Sequence, residues 1–219
     1  AIKAANTPFV DSLYQKYPNS TLLTYGEHVG LPDDQMGNSE VGHMNLGAGR
    51  IVWQDLLLIQ KNIENGEFFK NSELIKAFEF AQKNNKPVHF IGLVSDGGIH
   101  SHIDHLIALV KMANDCQVTQ SYIHAFTDGR DTDPKSGKKF LNHLEKSIDN
   151  YPTKIASICG RYFAMDRDKR WERVKKAYDL LVYAKGEKFN DVQNAMDISY
   201  ANGITDEFIE PIVITDESN

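Results

Sequence analysis

Ser39 lies in the stretch "QMGNSEVGHMNLGAGR", residues 35–50, which also holds four glycines. Glycines let the backbone approach a ligand closely, and a helix that begins near the serine favours a negatively charged group there. This pattern favours a nucleophile that carries phosphate, and the alternative is a serine that only caps a helix. A nucleophilic serine needs a base or a metal. The nearby base in sequence, His43, can simply pack, so we expect activation from outside this stretch.

A second group of candidate residues lies in "SDGGIHSHIDHL", residues 95–106. One interpretation of this stretch is a metal site, whose ligands would be His100, His102, Asp104 and His105. Ser101 and Asp104 form an S-x-x-D capping pattern, which predicts that a helix begins there and that neighbouring side chains diverge around its axis. We therefore favour a reading in which the two glycines form a tight turn that presents His100 to a ligand.

The arginines are concentrated in two other stretches. The chain has six arginines and eighteen lysines. Four arginines fall in or beside the loops after two predicted strands: Arg130, Arg161, Arg167 and Arg170. The planar guanidinium suits paired contacts with phosphate or carboxylate, so this distribution predicts an anionic small-molecule ligand. The alternative is that these arginines pair with neighbouring aspartates in structural networks.

The stretch "HAFTDGRDTDP", residues 124–134, contains aspartates with different predicted roles. Asp133 precedes Pro134, a pattern typical of a helix N-cap followed by the first helical residue. No local pattern explains Arg130 and Asp131. A carboxylate beside an arginine can hold a substrate hydroxyl or move its proton, so Asp131 is a candidate acid or base.

Three strand, loop and helix units position these groups. The apolar runs "VHFIGLV" (88–94), "SYIHAF" (121–126) and "KIASIC" (154–159) are each followed by a polar loop and an amphipathic helical pattern. This order predicts an α/β fold with three αβα layers and a mainly parallel sheet. Because ligands bind at the carboxyl ends of strands in open α/β sheets, the three loops should meet at one edge.

The two ends of the chain are less regular. Residues 9–17 read as a helix that is capped by Thr7 and has Pro8 at its first position, and residues 20–26 read as a strand. A last strand is predicted within residues 208–219. The first fifty residues have too little apolar surface to form a domain unaided, so the chain reads as a piece of something larger.

Composition excludes several classes of protein. The net charge of −6 argues against a nucleic-acid or anionic-membrane surface, and no apolar run is long enough to span a membrane. Cys116 and Cys159 have no metal-like spacing and are expected to be buried, reduced thiols. The lack of a membrane-spanning apolar run and the reduced cysteines together predict a cytoplasmic protein.

The motifs together resemble a known family, the cofactor-independent (2,3-bisphosphoglycerate-independent) phosphoglycerate mutases. "MGNSEVGHMNLGAGR" resembles the nucleophile motif of that family. Three further stretches resemble the phosphoglycerate-binding motifs of the family, in the same order: "SDGGIHSHIDHL", "HAFTDGRDTDP" and "GRYFAMDRDKRW". Four ordered motifs over about 135 residues are specific, and the similarity extends across essentially the whole chain.

The resemblance implies an activity and residue roles. Ser39 would carry a phosphoserine intermediate and coordinate one of two manganese ions. Asp131 would move protons and, with other residues, hold the substrate: His100, Arg130, Arg161 and Arg167. The reaction would interconvert 3-phosphoglycerate and 2-phosphoglycerate in glycolysis and gluconeogenesis, without 2,3-bisphosphoglycerate and in a monomeric enzyme.

The chain also departs from the family pattern, whose members are more than twice as long. Of the metal ligands implied by the resemblance, this sequence contains Ser39. We therefore expect residues 1–53 to be a fragment of an alkaline-phosphatase-like metal domain and residues 54–219 to be an inserted phosphotransferase domain. A chain of this kind should have little or no mutase activity alone.

Two other functions remain as alternatives. A related metal-dependent phosphomutase, such as a phosphopentomutase, or a hydrolase would share the metal-bound nucleophile, but not this combination of histidine and arginine loops. A non-catalytic module that binds a phosphorylated metabolite without metal would share those loops. Dinucleotide binding is disfavoured because "SDGGIHSH" lacks the G-x-G-x-x-G spacing.

Overall fold

The computed structural model describes residues 4–33 and 35–215. The chain divides into two units, Ala1–Leu57 and Leu58–Asn219, and their boundary falls inside the helix Asp55–Glu64. The boundary predicted after residue 53 separates a fragment of a metal domain from a phosphotransferase domain. The division into two compact units does not show what kind of domain each one is, so the predicted domain assignment stays a prediction.

The first unit is helical. Its elements are α1 (Pro8–Lys16), a 3₁₀ turn (Gly26–Val29), α2 (Ser39–Ala48) and the start of α3 (Asp55–Glu64). Helix α1 begins at Pro8, as predicted, but the prediction that Thr7 caps it is wrong. The Thr7 hydroxyl does not cap the helix backbone but donates to the Asp11 carboxylate at 3.2 Å.

The predicted strand over residues 20–26 is wrong. Tyr25 forms a single antiparallel bridge with Met36, and the rest of this segment is irregular. Leu22 and Leu23 are 76% and 47% exposed. A strand needs a neighbouring strand to pair its backbone groups, and in the described part of the first unit this bridge is the only such pairing.

The apolar core of the first unit is small. Val29, Leu31 and Val41 form its buried cluster, whereas Phe9 and Tyr14 on α1 are exposed. The described residues of this unit therefore gain little hydrophobic stabilisation from one another.

The second unit alternates helices and strands. After a 3₁₀ turn (Phe68–Lys70), its elements are α4 (Ser72–Lys83), β1 (Val88–Leu93), α5 (Ile103–Asp115), β2 (Ser121–Thr127), α6 (Gly137–Ile148), β3 (Thr153–Gly160), α7 (Arg161–Ala164), α8 (Trp171–Tyr183), β4 (Glu187–Phe189), α9 (Val192–Ala201), a 3₁₀ turn (Asp206–Phe208) and β5 (Ile212–Ile214). In the described part of the chain, no helix has both the length and the apolar character needed to cross a membrane.

The five strands form one sheet in the order β1-β2-β3-β5-β4. Strands β1, β2 and β3 are parallel, β5 is antiparallel to β3, and β4 is parallel to β5. The predicted strands that begin at residues 88, 121 and 154 are the three parallel strands, so the predicted α/β class with a mainly parallel sheet is confirmed. The last predicted strand is β5, and its residues 216–219 lie outside the described residues.

Helices cover both faces of this sheet. On one face, side chains such as Ile123 and Ile158 belong to a core that includes residues of α4, α5, α6 and α9. On the other face, Phe126 and Cys159 pack with Ala177 and Leu180 of α8. The alternation of strand side chains between two apolar clusters accounts for the three layers.

The cysteines differ in burial. Cys159 is fully buried, and burial raises the pKa of its thiol to about 12. Cys116, at the end of α5, is only partly buried, so the prediction of full burial is wrong at this position. Both are free thiols, as predicted.

The buried residue Asp206 joins the segment before β5 to the start of α6. Its carboxylate accepts hydrogen bonds from the Gly137 N–H at 2.7 Å and from the Tyr200 hydroxyl. Its carbonyl accepts from Thr127 Oγ1 at 2.7 Å. Burial raises the pKa of Asp206 above its ordinary value, and the two donors to the carboxylate offset part of the cost of burying it.

The prediction that Asp133 caps the following helix is wrong. Helix α6 begins at Gly137, and the cap acceptor comes from Asp206, 69 positions further along the chain. Asp133 Oδ1 accepts from the Lys135 N–H at 2.9 Å and closes a turn before the helix. The Asp-Pro pattern therefore marks a local turn, whereas tertiary structure supplies the cap.

Tyr200→Phe should destabilise the second unit. The substitution removes a donor to the buried Asp206 carboxylate and the acceptor of the Lys138 N–H at 3.2 Å. We expect a loss of about 1–3 kcal/mol in the free energy of unfolding, measured by urea titration with circular dichroism. Tyr183→Phe, at an exposed tyrosine, is the control and should change little. Equal stability of both variants would show that Asp206 does not depend on this hydroxyl.

Candidate functional site

The loops after the three parallel strands meet at the buried carboxylate of Asp128. Asp128 follows β2 directly and is 2% exposed. Its Oδ2 accepts from the hydroxyl of Ser95, which follows β1, at 2.8 Å. Its Oδ1 accepts from Nη1 of Arg161, which follows β3, at 2.7 Å. One carboxylate therefore ties together the carboxyl ends of neighbouring strands.

The same carboxylate shapes its own loop. Asp128 Oδ1 also accepts from the backbone N–H groups of Arg130 and Asp131, at 3.2 and 3.0 Å. Gly129, between Asp128 and Arg130, has a φ of +66°, which favours glycine. Burial opposes ionisation of Asp128, but the hydrogen bonds from Asp131, Ser95, Arg161 and Arg130 outweigh it, so the pKa of Asp128 lies below its ordinary value.

Arg161 links Asp128 to the candidate acid or base, Asp131. Its Nη1 lies 2.6 Å from Asp131 Oδ2, and its side chain is 10% exposed. Burial opposes the charge of the guanidinium, but Asp131 and Asp128 outweigh it and raise the pKa of Arg161. The guanidinium therefore stays charged at any pH at which the protein is folded.

His100 and Arg130 lie beside this pair. His100 Nε2 is 3.7 Å from Asp131 Oδ2. The Arg130 side chain is 60% exposed, and its Nη1 is 3.8 Å from Oε1 of Glu207, in the 3₁₀ turn before β5. The structure thus brings His100, Arg130, Asp131 and Arg161 together at one edge of the sheet, the edge expected for a ligand site.

Arg167 is placed differently. It is exposed in the loop between α7 and α8, and in the described residues it has no recorded ion pair or hydrogen bond. The neighbouring Asp166 side chain is only 1% exposed and pairs with Arg173 at 3.3 Å, while it also accepts from the Arg170 N–H at 2.9 Å. In this loop Asp166 thus pairs with Arg173 of α8 and not with Arg167. Among the four arginines, the structural pairing that was the alternative is seen at Arg161, with Asp131 at 2.6 Å.

The stretch that contains His100 does not form the predicted capping pattern. Helix α5 begins at Ile103, and its N-cap is His102, whose Nδ1 accepts from the Asp104 N–H at 3.3 Å. Ser101 is therefore not the cap, because the chain stays extended for one residue more. Across residues 4–33 and 35–215, no group of three or more His, Cys, Asp or Glu side chains is placed to hold a metal ion.

Ser39 belongs to the first unit and is the first residue of α2. The side chain of Asn38 caps this helix by accepting from the Val41 N–H at 3.0 Å, so Asn38 and not Ser39 is the capping residue. Ser39 lines a cavity of about 720 Å³ together with the glycines at 37 and 42. A Cβ on Gly37 would lie 1.9 Å from the Thr24 carbonyl oxygen, so this position requires glycine.

His43 is not placed to deprotonate Ser39. Its Nδ1 lies 2.7 Å from the Ser39 carbonyl oxygen and 3.2 Å from Ser39 Oγ. A carbonyl oxygen can only accept, so Nδ1 carries a proton and donates it to the carbonyl. The nitrogen nearest the hydroxyl is then unable to take its proton.

Sequence reasoning missed three residues of this arrangement: Ser95, Asp128 and Glu207. Ser95 and Asp128 could have been found, because each is a polar residue within two positions of the end of a buried parallel strand. Glu207 gave no such signal. Its position depends on the antiparallel return of the chain into β5, which no local pattern indicates.

Asp128→Asn should weaken the second unit in a pH-dependent way. The ionised Asp128 stabilises the fold at pH values above about 3.8, and this contribution is lost as pH falls through its lowered folded pKa. We expect a loss of about 1–3 kcal/mol at pH 7 that shrinks below pH ~3.8, measured by urea unfolding over a pH series. Asp149→Asn, at an exposed aspartate, is the control. A pH-independent difference would contradict the assigned charge.

Comparisons with known proteins agree with these motifs. The family described as BPG-independent PGAM N-terminus matches residues 59–219. The 2,3-bisphosphoglycerate-independent phosphoglycerate mutase of Flavobacterium psychrophilum is 56% identical over 219 residues, which cover 100% of this chain and 43% of that protein. The enzyme of the same name from Clostridioides difficile is 52% identical over 215 residues, which cover 98% of this chain and 42% of that protein.

A solved structure is also similar. Leishmania mexicana phosphoglycerate mutase, determined at low cobalt concentration, matches with a TM-score of 0.75 and 33% identity, over 99% of this chain and 42% of its own. The chain thus spans about two fifths of the length of the curated relatives it matches. On the family match and these identities, the chain belongs to the family of 2,3-bisphosphoglycerate-independent phosphoglycerate mutases.

Proposed function

We propose that this chain is part of an enzyme that interconverts 3-phosphoglycerate and 2-phosphoglycerate, in glycolysis and gluconeogenesis. The observation that carries the proposal is the meeting of Arg130, Asp131 and Arg161 with His100 around the buried Asp128. The reaction would need no 2,3-bisphosphoglycerate, and we place the enzyme in the cytoplasm as a monomer, without a nucleic-acid or membrane partner.

Arg161 is suited to bind an oxygen pair of the substrate. Its recorded hydrogen bonds in the described part of the chain all use Nη1, toward Asp128 and Asp131. The Nε and Nη2 donors of the same rigid fork remain for a phosphate or carboxylate. Because two carboxylates hold the guanidinium, little side-chain freedom is lost when the ligand binds.

Arg130, Arg167 and His100 would complete the ligand contacts. All three residues are exposed, and Arg130 and Arg167 carry positive charge on long side chains. We assign Arg167 to the site from the family resemblance alone, and its exposed position leaves it able to turn toward an anion. His100 lies next to Asp131 and can donate to a ligand oxygen.

Asp131 would move the proton that the exchange requires. When phosphate passes from one hydroxyl position to the other, one oxygen gains a proton and the other loses one. An ionised carboxylate beside the ligand can accept the proton of the attacking hydroxyl, and in its protonated form it can return a proton to the other oxygen. Arg161 and His100 fix Asp131 Oδ2 for this role, at 2.6 and 3.7 Å.

Ser39 would be the nucleophile. In the first half of the reaction, the P–O bond to the substrate breaks as a P–O bond to Ser39 Oγ forms, while the Ser39 hydroxyl loses its proton and the released substrate oxygen gains one. The second half reverses this at the other hydroxyl, so Ser39 regains its proton. The first turn of α2 favours the negative charge of the phosphorylated serine. Ser39 is exposed and lines the same cavity as Gly37, so a ligand can approach it.

The described residues do not by themselves form the manganese centre that the resemblance implies. Ser39 is its one assigned ligand here, and no group of three metal-binding side chains occurs among residues 4–33 and 35–215. We therefore place the two manganese ions with ligands outside these residues, and no step assigned above uses them. In the same proposal, residues 1–53 belong to the metal domain and residues 54–219 to the phosphotransferase domain.

A second candidate function is binding of a phosphorylated metabolite without catalysis. The observation that favours it is that His100, Arg130, Asp131 and Arg161 all belong to the second unit, whereas Ser39 belongs to the first. The second unit thus carries an anion site that does not need the nucleophile. The two candidates differ in whether phosphate is transferred from 3-phosphoglycerate to Ser39 in the whole enzyme, because this chain alone is expected to have little or no activity.

Calorimetric titration of the chain with 3-phosphoglycerate tests the proposed site. We expect binding that Arg130→Ala and Arg161→Ala each weaken at least about tenfold, because each substitution removes a charge-assisted contact. Lys188→Ala, which removes an exposed positive charge on β4, is the matched control and should bind like the unchanged chain. Added Mn²⁺ should leave the affinity unchanged.

Arg161→Lys guards against misfolding of the alanine variant, because it keeps a charge beside Asp128 while it removes the fork. It should fold and still bind less tightly than the unchanged chain. Equal affinity of the chain and of all three arginine variants would remove these loops from the ligand site.

A further inference from the structure

The charges at the candidate site do not simply favour anions. Two guanidinium groups, Arg130 and Arg161, face three carboxylates, Asp128, Asp131 and Glu207. Arg161 is committed to two of these carboxylates. Arg130 is thus the more available cation, and in the described part of the chain its ion-pair partner is Glu207.

In the ion pair between Arg130 and Glu207, the arginine side chain is exposed and the glutamate side chain is largely buried. The two charged groups are 3.8 Å apart, longer than a hydrogen bond, and the Arg130 side chain is 60% exposed. The Glu207 side chain is only 22% exposed. An exposed guanidinium can exchange such a partner for a ligand oxygen at little cost.

The backbone of Glu207 is held against the two loops that carry the arginines. A Cβ on Gly129, which precedes Arg130, would lie 2.8 Å from the Glu207 nitrogen. A Cβ on Gly160, which precedes Arg161, would lie 2.3 Å from the Glu207 carbonyl oxygen. This close packing on both glycines, together with the hydrogen bonds of the preceding residue Asp206, fixes the backbone position from which the Glu207 side chain extends.

A fixed carboxylate beside an anion-binding arginine discriminates between ligands. It accepts hydrogen bonds but cannot donate them, so it repels an anion that has no hydroxyl, such as sulfate, and can accept from a ligand hydroxyl. Repulsion of the unwanted ligand and attraction of the wanted one both contribute to selectivity.

We propose that Glu207 is a specificity residue, which selects phosphorylated hydroxy acids over small anions without a hydroxyl, such as sulfate, at Arg130. The choice of hydroxy acid as the preferred ligand rests on the proposed function, whereas the exclusion of small anions rests on the geometry of Arg130 and Glu207 alone. Glu207 pairs with Arg130 when no ligand is bound. An anion that carries a hydroxyl replaces Glu207 as the partner of Arg130 and donates its hydroxyl hydrogen bond to Glu207.

Glu207→Gln tests the proposal, because it keeps the shape of the side chain and removes its charge. Calorimetric titrations with sulfate and with 3-phosphoglycerate, at constant ionic strength, should show about fivefold tighter sulfate binding in this variant. The ratio of 3-phosphoglycerate affinity to sulfate affinity should fall. Glu210→Gln is the matched control, since Glu210 is an exposed carboxylate nearby in the chain that pairs with Lys176.

Each outcome decides one of the two proposals. Unchanged sulfate binding in Glu207→Gln, or no sulfate binding in any variant, overturns the role of Glu207. An equal gain in Glu210→Gln also overturns it, because the effect would then be general to net charge. If the unchanged chain binds no 3-phosphoglycerate while Glu207→Gln gains sulfate affinity, exclusion of small anions stands and the proposed function fails.

Discussion

A single buried carboxylate, that of Asp128, is the interaction on which the candidate site depends. Removing an ionised carboxylate from water is costly unless donors replace the lost solvent, and Asp128 receives donors from Ser95, Arg161 and its own loop. Those donors come from the ends of three adjacent strands. The requirement to satisfy one charge thus fixes the relative positions of three loops, which would otherwise move independently.

The second constraint is close backbone packing by the segment that leads into β5. Asp206 caps α6, and Glu207 packs on the glycines before Arg130 and Arg161. This contact explains why a short antiparallel strand at the end of the described chain matters for a site built on parallel strands. Together, Asp128 from within the loops and the 3₁₀ turn from outside them hold the arginines in place before any ligand binds.

The sequence predicted those features whose causes are local. Apolar runs followed by helical patterns identified β1, β2 and β3. The rule that loops after parallel strands meet at one edge of the sheet predicted that a shared set of residues lies there: His100, Arg130, Asp131 and Arg161. Features with distant causes were missed. The cap of α6 comes from Asp206, the partner of Arg130 comes from Glu207, and the apolar residues 20–26 lack a neighbouring strand among the described residues. The roles of all the candidate site residues stay predictions, and those of Ser39 and Arg167 rest on family resemblance without support from this cluster.

The most direct test of the account is a two-dimensional ¹H–¹⁵N NMR titration of the chain with 3-phosphoglycerate, in which backbone and arginine Nε resonances are followed. The account predicts that the largest shifts fall on the Arg161 Nε–H and on the amides of Gly97, Gly129 and Asp131, at the carboxyl ends of the parallel strands. Shifts centred instead on β4 and the opposite end of the sheet, with the Arg161 Nε–H unmoved, would contradict it.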